Sequence, residues 1–98
     1  MRKVLLDLNP ARSVEWIHDY LKFEMEFDDY YGNNLDALYD QLTCIGEYTC
    51  IGVFCPPKED TKMSLYLERV KKVFKDAEQD NPWLCVIFGD MEENYDKE

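Results

Sequence analysis

Apolar residues fall along this chain in two rhythms: short unbroken runs, and longer stretches where they recur every three or four positions. The first run is Lys3-Val4-Leu5-Leu6-Asp7-Leu8, closed by the turn pair Asn9-Pro10. Its length and flanks predict a buried strand. Ser13 is placed to cap a helix, with Glu15 in the first turn, where the helix dipole favours an anion. Val14, Ile17, Leu21 and Met25 form one stripe of that helix, and Trp16, Tyr20, Phe23 and Phe27 form a second. A helix apolar on two sides is packed between layers or shows an aromatic patch. His18 lies beside the first stripe and reads as a packed, hydrogen-bonded residue, since a catalytic base needs a nucleophile or an orienting partner.

The next stretch, Asp28 to Thr43, is a turn that delivers a short helix. Gly32 and Asn33 tolerate positive φ, so the chain can reverse there. Asn34 is the predicted N-cap, and Leu35, Leu38 and Leu42 give the helix its apolar stripe. At about 100° per residue, Asp36, Tyr39, Asp40 and Thr43 gather on a neighbouring face. Two aspartates at i and i+4 repel by a few tenths of a kcal/mol. Asp36 has the dipole's help and Asp40, near the other end, does not. A helix that keeps an electrostatic cost and flanks it with aromatics looks like a binding face.

Beyond Gly46-Glu47, Thr49-Cys50-Ile51-Gly52-Val53-Phe54 reads as a strand of the kind buried on both faces of a parallel sheet. Pro56-Pro57 ends it, and Lys58 to Lys62 is a polar loop. Ser64 is the predicted cap of a third major helix with Leu67, Val70, Phe74 and Ala77 on one face, broken by Asn81-Pro82. Trp83-Leu84-Cys85-Val86-Ile87-Phe88 is a third apolar strand, ended by Gly89. Apolar strands alternating with helices imply parallel β–α units. The expectation is an α/β fold, a small three-stranded parallel sheet packed by helices. It forms one domain over 1–89, followed by a flexible acidic tail over 90–98.

Composition narrows the function classes. With 21 acidic against 11 basic residues the formal charge is −10, a surface that repels nucleic acid and complements a basic protein. The apolar run near Met1 is too short for a signal peptide and no stretch approaches a membrane span, so a cytoplasmic protein is expected. Cys44, Cys50, Cys55 and Cys85 lack metal-site spacing and read as reduced packing groups. No nucleophile motif, phosphate loop or cofactor-binding pattern is present, and two helix aspartates supply too few oxygens for a dedicated cation site. Neither an enzyme, a cofactor, a metal nor a small-molecule substrate is expected.

The run Tyr30-Tyr31-Gly32-Asn33-Asn34-Leu35-Asp36-Ala37-Leu38-Tyr39-Asp40-Gln41-Leu42-Thr43 closely resembles the core of the barstar family, intracellular inhibitors of barnase-type ribonucleases. The likeness runs without a gap from about Arg12 to about Ile51 and resumes over Val70 to Ala77. The resemblance implies the same three-stranded parallel fold. It also implies a 1:1 complex with a small basic, extracellular-type ribonuclease whose active site is plugged by the acidic helix. By resemblance, Asp40 is the central plug and Asp36 meets the same cations one turn earlier. Tyr30 covers the catalytic region and Tyr39 the rim. Asn34, Leu35 and Thr43 supply shape and neutral hydrogen bonds, and Gly32 allows close backbone approach. Asp76, beside Val73, reaches a base at the edge. This chain differs from the family's type member in carrying aspartate for glutamate at 76, tyrosine for tryptophan at 39, and isoleucine for a second tryptophan at 45. The alternatives are an immunity protein for a different nuclease or toxin, and an acidic interaction module using the Trp16/Tyr20/Phe23/Phe27 stripe.

Overall fold

The computed structural model describes residues 1–89. The expected acidic tail over 90–98 lies outside the described residues. Six elements follow in the order β1 (Arg2–Asp7), α1 (Val14–Met25), α2 (Leu35–Thr43), β2 (Thr49–Phe54), α3 (Lys62–Asp80) and β3 (Leu84–Gly89). The strands form one parallel sheet in the order β1-β2-β3. Two helices make the first crossover and one long helix the second, an α/β fold of the expected kind.

One face of the sheet makes the core. Val4, Leu6, Ile51, Val53, Leu84 and Val86 point into it and meet Ile17, Leu21, Leu38, Leu42, Val70 and Phe74 from the helices. The other face is open: Leu5 is 71% and Ile87 56% exposed. The apolar runs therefore do not mark strands buried on both faces. Side chains alternate across a strand, and here the helices cover one side only. At the middle of the open face Leu5 lies across Gly52, where an added Cβ would come within 3.0 Å of Leu5 Cδ2.

The predicted caps hold at two helices and move at the third. Ser13 accepts the Trp16 N–H at 3.0 Å and Asn34 accepts the Ala37 N–H at 2.8 Å. For α3 the cap is Thr61, whose Oγ1 accepts the Ser64 N–H at 3.0 Å. Ser64 sits inside the first turn, buried, its Oγ accepting the Glu59 N–H at 2.9 Å. Either hydroxyl could begin the helix, and the one whose partner N–H lies three residues ahead wins. Asn33 takes the left-handed turn conformation at φ 55°, and Gly32 has no positive φ.

His18 is fully buried between two tyrosines, Nδ1 2.6 Å from the Tyr31 hydroxyl and Nε2 2.7 Å from that of Tyr66. A neutral imidazole donates to one and accepts from the other. Burial lowers its pKa, opposed by the nearby Asp19 charge. The aromatic stripe of α1 is largely consumed in packing. Trp16 and Tyr20 stack at 4.9 Å, the Tyr20 hydroxyl accepts the Asp7 N–H, and Phe27 packs on Tyr31. Phe23 alone of the four stays mostly exposed, at 77%. Of the four cysteines only Cys55 is buried, so the packing role expected for all of them holds for one.

Candidate partner-binding site

The site is built from α2, the turn before it, and the flank of α3. Leu38 and Leu42 bury one side of α2, with Leu35 half-buried beside them, so the opposite side faces water. Asp36 and Asp40 are exposed there, one turn apart. Neither carboxylate makes an ion pair among the described residues. Tyr30 leads into the helix at 92% exposure, its backbone N–H held by the Asp28 carboxylate at 2.9 Å in a tight turn. No aromatic or hydrogen-bond partner engages that ring among the described residues.

Packing of α3 alongside α2 brings more acids to the same place. The Tyr39 hydroxyl donates to the Asp80 carboxylate on the last turn of α3. Its pKa is raised first by that hydrogen bond, then by desolvation and by the charges of Asp80, Asp76 and Asp40. One phenol thus sits among three carboxylates from two helices. Asp76 is half-buried and bonded to Lys72 Nζ at 3.0 Å, one turn back along α3. Such a surface pair is worth only about 0.3–0.5 kcal/mol, so a stronger cation could displace the lysine. Val73 lies one turn before Ala77, half-buried against the core.

Several expected contact groups are engaged within the chain. Asn34 spends its Oδ1 on the cap, and its Nδ2 donates to the Gly32 carbonyl at 3.2 Å. The Thr43 hydroxyl donates back to the Tyr39 and Asp40 carbonyls at 3.0 and 3.2 Å, leaving its lone pairs for a visitor. Gly32 is exposed, and an added Cβ would meet Asn34 Nδ2 at 3.4 Å and Ala37 Cβ at 3.5 Å, ordinary contacts. The fold itself has no need of glycine there.

Two residues of this region escaped the sequence reading. Asp80 falls at i+4 from Asp76 on the same flank of α3, a spacing visible in the sequence but without meaning until Tyr39 stands opposite. Asn81 read only as half of a helix-breaking pair. Buried, it donates from Nδ2 to the Leu42 and Ile45 carbonyls, each at 3.0 Å, and accepts the Trp83 N–H at 3.0 Å. It ties the C-terminal end of α2 to the loop after α3 and so fixes the two acidic flanks relative to each other. Among the described residues no group of three or more His, Cys, Asp or Glu converges as metal ligands, so the acids form a spread surface, not a chelating cage. Nor is any described helix long and apolar enough to cross a membrane.

Asp36 and Asp40 on the exposed side of α2, and the exposed Tyr30 ahead of it, are among the residues that the resemblance singled out. The family model described as Barstar (barnase inhibitor) matches residues 1–98. The chain belongs to the barstar family. Over 43 residues, 44% of this chain, it is 51% identical to the protein named Putative ribonuclease inhibitor YrdF of Bacillus subtilis (strain 168). That match covers 47% of the relative, so it spans about half of its length. Of the residues that the resemblance points to, Tyr30, Gly32, Asp36 and Asp40 are all exposed.

Proposed function

We infer that this barstar-family chain is a protein inhibitor that enters the active-site cleft of a small basic ribonuclease with the exposed side of α2. The observation that carries the reading is the pair Asp36 and Asp40, solvent-facing and without an internal cation among the described residues. A ribonuclease must gather cationic side chains around the phosphate of its substrate. Two carboxylates on neighbouring turns, about 5–6 Å apart at Cβ, offer those cations a fixed substitute for phosphate charge. Asp40 is the central plug, positioned to accept charge-assisted and preferably bidentate hydrogen bonds from arginine. Asp36 meets the same cluster from the first turn. Tyr30 covers the catalytic histidine region, where an amphipathic ring buries area at little entropic cost.

Around that centre, Leu35 and Tyr39 close the rim, while Asn34 and Thr43 offer their remaining hydrogen-bonding capacity. Gly32 leaves room for the partner's backbone, which explains a glycine that the fold does not require. Asp76, beside Val73, and Asp80 face the partner from α3. The aspartate at 76 is shorter than glutamate and bonded to Lys72, and Tyr39 is anchored on Asp80, so the α3 edge of this inhibitor suits a different rim from that met by the type member.

The test is a titration. Increasing amounts of the chain are added to a barnase-type ribonuclease and RNA cleavage is followed. Activity is expected to fall linearly to zero at one equivalent at low salt. Complex formation should slow as salt rises, because steering by a −10 surface is screened beyond about 8–10 Å at ordinary ionic strength. Undiminished cleavage at a large excess of the chain would assign the acidic side of α2 to another partner, a different nuclease or toxin being the first to try.

A further inference from the structure

The open face of the sheet carries two thiols that ribonuclease inhibition does not use. Cys50 on β2 and Cys85 on β3 are register partners. Their flanking pairs, Thr49 with Leu84 and Ile51 with Val86, are turned into the core. Because side chains alternate along a strand, both cysteines project from the opposite, solvent side, Cys50 half-buried and Cys85 exposed. The Cys50 thiol is the largest influence on that of Cys85, raising its pKa, with desolvation next. The pair borders a shallow cleft of about 110 Å³ lined by Met1, Tyr48, Pro82 and Trp83.

We propose that Cys50 and Cys85 form a redox-modification site, a dithiol that closes to a disulfide by exchange with a small disulfide such as oxidised glutathione. Neighbouring strands lie about 4.7–4.9 Å apart. That spacing is inside the Cα window of about 4.4–6.8 Å that a disulfide accepts. The thiolate of the exposed Cys85 attacks the glutathione disulfide, forming a mixed disulfide and releasing one glutathione thiolate, which takes up a proton. Cys50, once deprotonated, attacks the Cys85 sulfur and releases the second glutathione. Two protein thiols are oxidised to one S–S bond while one glutathione disulfide is reduced to two thiols. An exposed disulfide of this kind is reopened by thiol reductants.

The other two cysteines provide internal contrast. Cys44 is exposed at the C-terminal cap of α2, and no cysteine is its partner in the sheet. It can stop at a mixed disulfide. Cys55 is buried and its pKa is pushed up to about 11 by burial, so it is protected and a poor nucleophile.

The experiment exposes the full chain to oxidised glutathione at mildly alkaline pH, alkylates the remaining thiols and maps the peptides by mass. The expected product links Cys50 to Cys85 and lacks two hydrogens, with Cys55 alkylated only after unfolding. Trp83 beside the new bond should lose fluorescence, which a reductant restores. Cys50→Ser and Cys85→Ser should each abolish the link and leave the surviving cysteine as a glutathione adduct. Because the pair lies on the face of the sheet away from the helices, ribonuclease inhibition should be unchanged by oxidation. Recovery of Cys50 and Cys85 as separate adducts or as free thiols, or a link involving Cys44, overturns the proposal.

Discussion

Asn81 offers the sharpest structural prediction. Its side chain makes three hydrogen bonds, two as donor to the Leu42 and Ile45 carbonyls and one as acceptor from the Trp83 N–H. Replacing it with alanine removes all three. It leaves the Leu42 carbonyl with a long 3.4 Å bond from the Ile45 N–H and a share of the Cys44 N–H, which is divided among three carbonyls. Each such bond contributes about 0.5–1.5 kcal/mol net, and a buried group left unpaired costs about 1–3 kcal/mol. Asn81→Ala should therefore cost roughly 3 kcal/mol. With a urea dependence of about 1.5 kcal/mol per molar, the midpoint should fall by about 2 M with an unchanged slope. Asn81→Asp separates the contributions. It keeps the acceptor for Trp83 but turns a carboxylate on two carbonyl oxygens, so it should be no more stable than alanine. An aspartate variant as stable as the parent, or an alanine variant within about 0.5 kcal/mol of it, the range of ordinary surface changes, would refute the assignment of Asn81 as the tie between α2 and α3.

Other perturbations follow from single residues. His18 is held neutral with a lowered pKa, so below its unfolded value of 6.5 the unfolded chain binds the extra proton. Stability should fall as pH drops from 7 towards 5.5, at up to about 1.4 kcal/mol per pH unit. Urea titrations across that window should show the slope, reduced in His18→Gln; parent stability that is flat or rising on acidification contradicts it. Glu26 closes α1 in the left-handed region at φ 61°. Glu26→Gly should stabilise by about 0.5–1 kcal/mol in the same assay, since only glycine adopts that region without steric cost; a loss of stability would contradict this. At Gly32 an added methyl meets only ordinary contacts. Gly32→Ala should leave the unfolding free energy from urea titration within about 0.5 kcal/mol of the parent while weakening ribonuclease inhibition. Lost stability with intact inhibition would reverse the role given to that glycine.

Local features were the legible ones. The stripe Leu35, Leu38, Leu42 and the cap Asn34 located α2 because helix periodicity and capping need only a few consecutive residues. What sequence concealed depends on distant partners or on which side of a layer is covered. Asp80 acquires its place through Tyr39, 41 residues away, and Asn81 through Leu42, 39 away. The strands were harder still. Leu5, Cys85 and Ile87 are as apolar as their buried neighbours, so the pattern could not say that one face of the sheet stays open. Thr61 and Ser64, both able to cap, differ only in which hydroxyl the loop brings to the helix end. The same limit applies to the aromatic stripe of α1, which read equally as packed or as a surface patch until Tyr20 met Asp7 and Phe27 met Tyr31.

The central claim is that the charge on α2, not its shape alone, stoppers a cationic cleft. Asp40→Asn keeps the size of the side chain and removes the charge, and Asp40 is exposed, so the fold should be untouched. The decisive measurement is the inhibition constant of this variant against a barnase-type ribonuclease at low salt, compared with the parent. Truncating or neutralising a buried, hydrogen-bonded interface charge costs about 2–5 kcal/mol, a range that barnase–barstar itself helped to define. The account predicts an inhibition constant weaker by at least a factor of about 30, which corresponds to about 2 kcal/mol. A constant equal to the parent's would contradict it.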